Sequence, residues 1–403
     1  MDADLVVVGA GALGLSTALH AALLGRAVVI VERDTAGSQA SGRAAGLFKS
    51  VQADELRTML ARRSIARASS FADWAGAPLE VTRSGSFLIA RTSAHKQYLR
   101  AELRQSREWG AEVRQASPAE LAERVSFFAG RGDELALWCP EDIYIEDPSA
   151  LVSAYVAACE LAGVQLLEQE AVIGVTMSAG RVAGVETTAR TIAASTVVDA
   201  AGAWTRQVAK LFGADVAVAP VRHQLLITEP TETVDRADPI VRVVDAAVYI
   251  RPARSGLMFG GFEGAPLGVD PRVEPAPFRT NDLSLDLDVL RKLAALVARE
   301  IPYAAEPRVA EHRGGLFTMT PDGRFVIGPV PDLPGLWVAS GCNGSGFSSS
   351  LAIGEALADW ICGRDEHADI TALSPGRFGT VTDEALVKAG VWQYAHYYDP
   401  AVG

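Results

Sequence analysis

The chain begins with a short apolar run from Leu5 to Val8 that is rich in β-branched residues. Such a run is typical of a strand that is buried on both faces of a sheet. Small and apolar residues follow, and a second apolar run covers Ala27 to Val31. This order predicts a strand, a glycine turn, a helix and a second strand.

The segment from Leu5 to Gly25 has no charged side chain and is long enough to suggest a membrane span or a signal peptide. The residues before it are Met-Asp-Ala-Asp, which is acidic where a signal peptide would be basic, and glycines interrupt the run. A buried strand followed by a buried helix explains both features better. We therefore expect no membrane span.

The first turn carries Gly9, Gly11 and Gly14 in the pattern GxGxxG. The first glycine permits a tight turn, the second lets a pyrophosphate approach the backbone, and the third lets the helix pack closely on the strand. The free N–H groups of the helix N-terminus would then face the phosphates. Glu32 ends the second strand, where its carboxylate can accept hydrogen bonds from a ribose. The pattern favours FAD or NAD over NADP; the alternative is a glycine turn in an ordinary α/β protein.

Five later segments add to this pattern. Residues 191–205 predict a strand that runs into a turn of small residues, although a core strand with a tight turn would look the same. Residues 320–323 (TPDG) predict a β-turn, and residues 335–361 predict a strand, a glycine turn and a helix that begins near Phe347. Residues 248–262 predict a hairpin with its turn at Ser255-Gly256, and residues 286–301 predict an amphipathic helix that Pro302 stops.

Together these segments resemble the family of FAD-dependent amine and D-amino-acid oxidoreductases, which includes glycine oxidase, sarcosine oxidase and dimethylglycine dehydrogenase. The resemblance extends from Leu5 to Gly363. Beyond GxGxxG and the two C-terminal segments, it is carried by GSQASGRAAGL (37–47), residues 168–172 and 197–204, PVRHQLLITEP (220–230) and VYIRP (248–252).

The resemblance implies an α/β fold with a Rossmann-like FAD-binding domain and a discontinuous, mainly antiparallel β-sheet substrate domain. The FAD-binding domain would comprise residues 1–85, 145–215 and 310–365, and the substrate domain residues 86–144 and 216–309. Residues 366–403 would form a C-terminal tail. Its aromatic-rich part, 391–400, is expected to pack against the body or a second subunit.

The resemblance also implies which residues hold FAD. They are Gly9, Gly11, Ala12, Leu13, Gly14, Glu32, Arg33, Ser41, Arg43, Ala44, Ala45, Gly46, Leu47, Val172, Ala201, Gly202, Trp204, Gly341, Asn343, Gly344, Ser345, Gly346, Phe347 and Ser348. A helix N-terminus after the second glycine turn would stabilise the negative charge of the reduced flavin.

The residues that tether FAD covalently in some relatives are replaced in this chain. Arg43 stands where dimethylglycine dehydrogenase-type proteins have a histidine, and Gly315 stands where monomeric sarcosine oxidase has a cysteine. We therefore expect non-covalent FAD, with Cys342 as the nearest alternative tether.

The cations that bind the substrate carboxylate in the family are also replaced, by Phe317 and Ser348. Our first candidate for a new cation is Arg251, beside Tyr249, followed by Lys49 and Arg313. Arg251 could instead form a surface ion pair. Lys49 could promote reaction with oxygen or be a solvated side chain, and His223 could line the pocket or be a core histidine.

Composition excludes several other functions. The formal net charge is −12, and no basic cluster is present, which argues against a nucleic-acid partner. Four cysteines and six histidines lack metal-site spacing, and so few cysteines in a long chain fit a reducing cytoplasm. The sequence contains neither GxSxG nor GxxxxGK, which argues against a hydrolase or an NTPase.

The sequence therefore predicts FAD-dependent oxidation of an amine or N-methyl amino acid to an imine, by hydride transfer to flavin N5. Oxygen or an electron-transfer partner would accept the electrons, and a homo-oligomer is possible. One alternative is oxidation of a 2-hydroxy acid, with His223 or His312 as the base. The other is a flavoprotein subunit without catalytic activity.

Overall fold

A computed structural model describes residues 1–130, 132–364 and 369–399 of the chain. The first predicted strand lies inside a six-stranded sheet in which only the first strand in spatial order is antiparallel to its neighbour. In that order the strands are β18 (Val326–Pro329), β19 (Leu336–Ser340), β12 (Thr196–Asp199), β1 (Leu5–Val8), β2 (Val28–Val31) and β8 (Gln165–Leu167).

Different layers cover the two faces of this sheet. Leu5 and Val7 pack into a core with helices α1 (Ala12–Leu23), α2 (Glu55–Ser69), α6 (Pro148–Leu161) and α9 (Gly346–Ile361). Val6 and Val8 face the opposite core, which contains α7 (Thr205–Leu211) and a small antiparallel sheet. The strands of that sheet are β9 (Val172–Ser178), β10 (Arg181–Thr187) and β11 (Thr191–Ala193).

A second large sheet has eight strands and is antiparallel except between β14 and β4. In spatial order its strands are β17 (Val309–Met319), β13 (Ala219–Thr228), β16 (Gly256–Gly261), β15 (Val248–Ala253), β14 (Ile240–Val243), β4 (Ser86–Ala90), β6 (Leu135–Cys139) and β5 (Arg114–Ala116). A short ribbon pairs β3 (Leu47–Phe48) with β7 (Ile143–Tyr144). The remaining helices are α3 (Phe71–Ala75), α4 (Ser93–Glu108), α5 (Pro118–Arg124), α8 (Leu287–Ala295) and α10 (Asp383–Ala395).

The strongest local patterns predicted their elements closely. The first strand has the predicted bounds, and α9 begins one residue before Phe347. The β-turn at 320–323 is closed by a hydrogen bond from Gly323 N to Thr320 O. No helix in the described ranges is both long enough and apolar enough to cross a bilayer.

Three predictions on local structure need correction. Residues 191–205 form two strands in two different sheets, β11 and β12, because the chain turns between them. The turn of the 248–262 hairpin consists of Arg254 and Ser255, which both have positive φ, as a two-residue hairpin loop requires. Helix α8 ends at Ala295, after which Val297 N bonds to Ala294 O in a tighter turn, well before Pro302.

One predicted domain range also differs from the sheet topology. Strand β17 pairs with β13 from Val309 to Met319, so this segment belongs to the eight-stranded sheet and not to the six-stranded sheet. The other domain boundaries stay a prediction. In the predicted tail, α10 packs on β13 and β17. Residues 365–368 and 400–403 lie outside the described residues.

Arg251 ties the eight-stranded sheet to two other parts of the chain. Its guanidinium donates hydrogen bonds to Ala45 O at 2.8 Å, Glu146 O at 2.9 Å and Pro252 O at 2.6 Å. The guanidinium also lies over the ring of Tyr144, at 4.7 Å from its centroid. The side chain is fully buried, so a surface ion pair is excluded, and its donors point to backbone carbonyls.

We expect Arg251→Lys to destabilise the protein. Lysine cannot donate to three separate carbonyls in this geometry, and each buried carbonyl without a donor costs about 1–3 kcal/mol, so we expect a loss of about 3 kcal/mol in the free energy of unfolding. Urea denaturation of this variant and of the matched control Arg254→Lys, at an exposed neighbour, measures the difference. Unchanged stability together with weaker substrate binding would instead assign Arg251 to the substrate.

Candidate functional site

A cavity of about 430 Å³ lies between the two large sheets. Its walls include the end of β1, the residues that follow β12, the 37–47 segment and the N-terminus of α9. The opposite wall comes from β13, β15, β17 and the C-terminal tail. The cavity is therefore bounded on one side by the GxGxxG turn and on the other by the eight-stranded sheet.

At one end of the cavity, the glycines allow a close approach of backbone to backbone. Gly9 has φ of +103°, and a Cβ there would lie 2.7 Å from Ala200 O. A Cβ at Gly14 would lie 2.1 Å from Gly9 O. Gly14 itself does not line the cavity, so it packs the helix onto the strand while Gly9 and Gly11 leave room for a ligand. This arrangement fits the pyrophosphate of a dinucleotide.

Glu32 lies in the cavity wall at the end of β2. Its carboxylate accepts hydrogen bonds from Ala10 N and Asp34 N, both at 2.8 Å, and burial raises its pKa. Arg33 beside it pairs with Asp34 at 3.2 Å and lies over the ring of Trp204. These contacts fix a carboxylate where a ribose of FAD would lie.

Most residues predicted to hold FAD line this cavity. The exceptions are Gly14, Gly341 and Asn343. Asn343 accepts a hydrogen bond from Thr320 N at 3.0 Å and donates one to Gly341 O at 2.7 Å. A Cβ at Gly341 would lie 2.7 Å from Thr320 Cγ2. These two residues hold the second glycine turn against the TPDG turn, so a direct contact with FAD is not supported for them.

The N-terminus of α9 forms another part of the wall. The helix begins at Gly346, and residues 344–348 all line the cavity. The first N–H groups of a helix have no partner within the helix, and its positive dipole end favours negative charge. This end of α9 can therefore stabilise an anionic part of a bound group.

Lys49 lines the cavity, but its charge is neutralised. Its ammonium lies 3.0 Å from the carboxylate of Glu102 in α4, and both side chains are largely buried. Burial opposes the charged form, yet Glu102 and nearby tyrosines outweigh it and raise the pKa of Lys49. Lys49 is thus neither a solvated side chain nor an unpaired cation.

His223 lines the cavity and is also buried. It is therefore both a pocket residue and a core histidine, the two alternatives that the sequence left open. Its ring nitrogens lie 2.7 Å from the hydroxyls of Tyr394 and Tyr249, and the ring stacks on Phe317 with centroids 4.2 Å apart. Burial lowers the pKa of His223 to about 3. The imidazole is therefore neutral at physiological pH.

Arg313 is the remaining candidate cation. It lines the cavity, whereas Arg251 does not. Its side chain is 11% exposed, and its Nε lies 3.4 Å from Glu311 without a hydrogen-bond partner among the described residues. Glu311 also pairs with Arg254 at 2.5 Å, so its charge is shared. Arg313 can therefore accept an anionic ligand group.

Sequence reasoning missed several residues in the wall. Tyr397 of the tail stacks on Phe262 with ring centroids 4.0 Å apart, and Tyr398 lies beside them. Arg242, a lone cation in the apolar strand β14, pairs with buried Asp142 at 2.9 Å. The aromatic tail was visible in the sequence, but its path to the cavity depends on tertiary packing.

Known proteins share this sequence and architecture. Mitochondrial sarcosine dehydrogenase of Mus musculus is 28% identical over 385 residues, which are 93% of this chain and 41% of that protein. Glycine oxidase of Pseudomonas aeruginosa is 29% identical over 393 residues, which are 93% of this chain and 99% of that protein. The crystal structure of L-proline dehydrogenase from P. horikoshii is 23% identical, with a TM-score of 0.84, and covers 94% of this chain and 98% of that one.

The chain thus spans less than half the length of sarcosine dehydrogenase. The likeness to L-proline dehydrogenase confirms the predicted fold. The model of the family described as FAD dependent oxidoreductase (DAO) matches residues 4–360. The chain therefore belongs to the DAO family of FAD-dependent oxidoreductases, and its cofactor is FAD.

Proposed function

We propose that this protein oxidises the C–N bond of a secondary or tertiary amine, or of an N-methyl amino acid, to an imine. The names of two relatives support this class, since sarcosine and glycine are both amines. When bound, FAD supplies the hydride acceptor at flavin N5. The chain's own residues would bind the cofactor, orient the amine and exclude water.

The hydrogen bonding of His223 is the observation that favours an amine over a 2-hydroxy acid. A hydroxyl is a weak acid, so its oxidation needs a base with a pKa near 7, whereas an amine can enter the site already deprotonated. Both ring nitrogens of His223 are hydrogen-bonded to tyrosine hydroxyls, and burial lowers its pKa to about 3, so this residue is poorly suited to be that base. His312 does not line the cavity, it hydrogen-bonds Gln224 at 3.2 Å, and burial lowers its pKa as well.

Arg313 is the cation that we propose for a substrate carboxylate, where the substrate has one. Lys49 and Arg242 each face a carboxylate at 3.0 Å or less, so a ligand would have to displace an existing ion pair. The partner of Arg313 is more distant and is shared with Arg254. This difference makes Arg313 the better anchor.

Two further expectations belong to this proposal. Cys139, Cys159, Cys342 and Cys362 are all free thiols, which supports a reducing compartment such as the cytoplasm. Arg43 and Gly315 both line the cavity at the positions of the tethers in relatives, and neither side chain can form a covalent bond to FAD. This supports non-covalent binding.

Anaerobic mixing of the FAD-loaded protein with a matched set of amines and 2-hydroxy acids tests the reaction. We expect an N-methyl amine to bleach the visible absorption of the flavin and lactate to leave it unchanged. Bleaching by a hydroxy acid alone would establish the alternative oxidation. Absence of bleaching with every compound would favour a flavoprotein subunit without catalytic activity.

Arg313→Gln tests the carboxylate anchor. We expect the Kd of an N-methyl amino acid to rise about tenfold, since a hydrogen bond to a charged group contributes about 1.5–3 kcal/mol, while the Kd of the same amine without its carboxylate stays within about twofold. Arg308→Gln is the matched control, because this exposed arginine pairs with Glu229 and does not line the cavity. Equal weakening of both ligands would reject the anchor.

Acid precipitation tests the mode of FAD binding. We expect the yellow colour to stay in the supernatant, because the cavity residues at the tether positions cannot bond to the flavin. The control is Cys342→Ser, since Cys342 is a thiol in the cavity wall. A yellow pellet from the wild type that becomes colourless in this variant would contradict non-covalent binding.

A further inference from the structure

Three buried side chains from distant parts of the chain form one hydrogen-bonded array. Tyr394 of α10 bonds to His223 Nδ1 of β13, and His223 Nε2 bonds to Tyr249 of β15, both at 2.7 Å. All three residues are buried, at 7% exposure or less. Gly260 leaves room for the array, since a Cβ there would lie 2.2 Å from the Tyr249 hydroxyl.

The two tyrosines of the array have different surroundings. Tyr249 lines the cavity, whereas Tyr394 does not. On its other side, the Tyr394 hydroxyl lies 3.4 Å from Gly261 O, which can accept its proton in a hydrogen bond. Of the two tyrosines, only Tyr249 can therefore contact a ligand, and Tyr394 would act through His223.

A neutral imidazole donates from one nitrogen and accepts at the other, so the array has two arrangements. In the first, Tyr394 donates to Nδ1 and Nε2–H donates to Tyr249, whose own proton then points to the cavity. In the second, Nδ1–H donates to Tyr394, Tyr394 donates to Gly261 O, and Tyr249 donates to Nε2. Tyr249 then offers only lone pairs to a ligand. The imidazole carries one N–H in both cases, so the array stores no proton.

Charged and titratable groups surround the array without bonding to the imidazole. Glu263 and Arg222 lie near Tyr394, while Arg251, Arg313, Tyr397 and Tyr398 lie near Tyr249. For His223 itself the cause of its lowered pKa is burial. Each ring nitrogen of His223 lies 2.7 Å from a tyrosine hydroxyl, so the hydrogen bonds of these two hydroxyls determine which tautomer is favoured.

We propose that Tyr394 is a positioning residue for the substrate nitrogen. Through the tautomer of His223, it lets Tyr249 accept a hydrogen bond from an ammonium or donate one to a neutral amine. The proposal rests on the proposed function in that the ligand is an amine. Tyr394 lies in the C-terminal tail, beyond residues 4–360, which match the family model.

Removal of the Tyr394 hydroxyl has a defined consequence for the array. In Tyr394→Phe, an Nδ1–H would be buried without an acceptor, which is costly. The imidazole should therefore keep its proton on Nε2, and Tyr249 should become a permanent donor to the cavity. A purely structural role for Tyr394 would change stability without fixing the tautomer.

Nitrogen-15 NMR of histidine-labelled holoprotein reports the tautomer directly, with His223→Gln used to assign its signals among the six histidines. We expect cumylamine, an ammonium at pH 7 that lacks the hydrogen needed for oxidation, to move the wild type toward Nδ1–H. In Tyr394→Phe we expect Nε2–H with and without the amine. The same tautomer in both proteins under both conditions would overturn the proposal.

Ligand binding, read from the shift in flavin absorption, gives a second measurement. In Tyr394→Phe we expect the Kd of cumylamine to rise about tenfold, the size of a lost charged hydrogen bond, while the Kd of the acceptor-only cumyl methyl ether stays within about twofold. Tyr155→Phe is the matched control, because it loses a buried hydroxyl bonded to Ser350 away from the cavity. Equal changes for both ligands would overturn the proposal.

The two proposals fail in different ways. The proposed function fails if no amine bleaches the flavin. The role of Tyr394 fails if its removal leaves the tautomer and the preference for ammonium over ether unchanged, whichever compound reduces the flavin.

Discussion

Close packing at two glycines brings two helix N-termini to one cavity. A Cβ at Gly14 would lie 2.1 Å from Gly9 O, and one at Gly354 would lie 2.2 Å from Ser16 Oγ. Helix α1 is therefore held directly against the first turn on one side and against α9 on the other. Both positive helix ends then line the cavity, where they would stabilise the pyrophosphate of bound FAD and the negative charge of its reduced flavin. Segments more than 300 residues apart in sequence must fold together to build this site.

Local patterns were sufficient for the parts of the fold that depend on neighbouring residues. The residues that specify strand β1, the glycine turn and the start of α9 lie within a few positions of each element. The observed bounds of β1 and the start of α9 differ from the predicted ones by at most one residue. The division of residues 191–205 between two sheets depends on distant partners. The pairing of β17 with β13 depends on them too, because nothing in the sequence of either strand specifies its partner.

For charged side chains, too, the sequence predicts the residue but not its distant partner. A sequence identifies a cation but does not identify its partner. Arg251 is a lone charge in a strand, and only the fold reveals that Ala45 and Glu146 turn their carbonyls toward it. Lys49 is paired with Glu102, 53 residues later, and Arg242 with Asp142, 100 residues earlier. Some cations in the cavity wall are therefore already paired with a carboxylate and are not available to a ligand.

The tail reaches the site because one glycine lets it approach the sheet. A Cβ at Gly390 would lie 2.8 Å from the Cβ of Ala219, so α10 packs against β13 at that point. This places Tyr394 one helical turn further on, beside His223, and Tyr397 against Phe262. The aromatic rings on this side of the cavity wall would attract an ammonium to their faces. This side of the wall therefore supports the proposed oxidation of an amine, in which the carbon beside the nitrogen would give up a hydride.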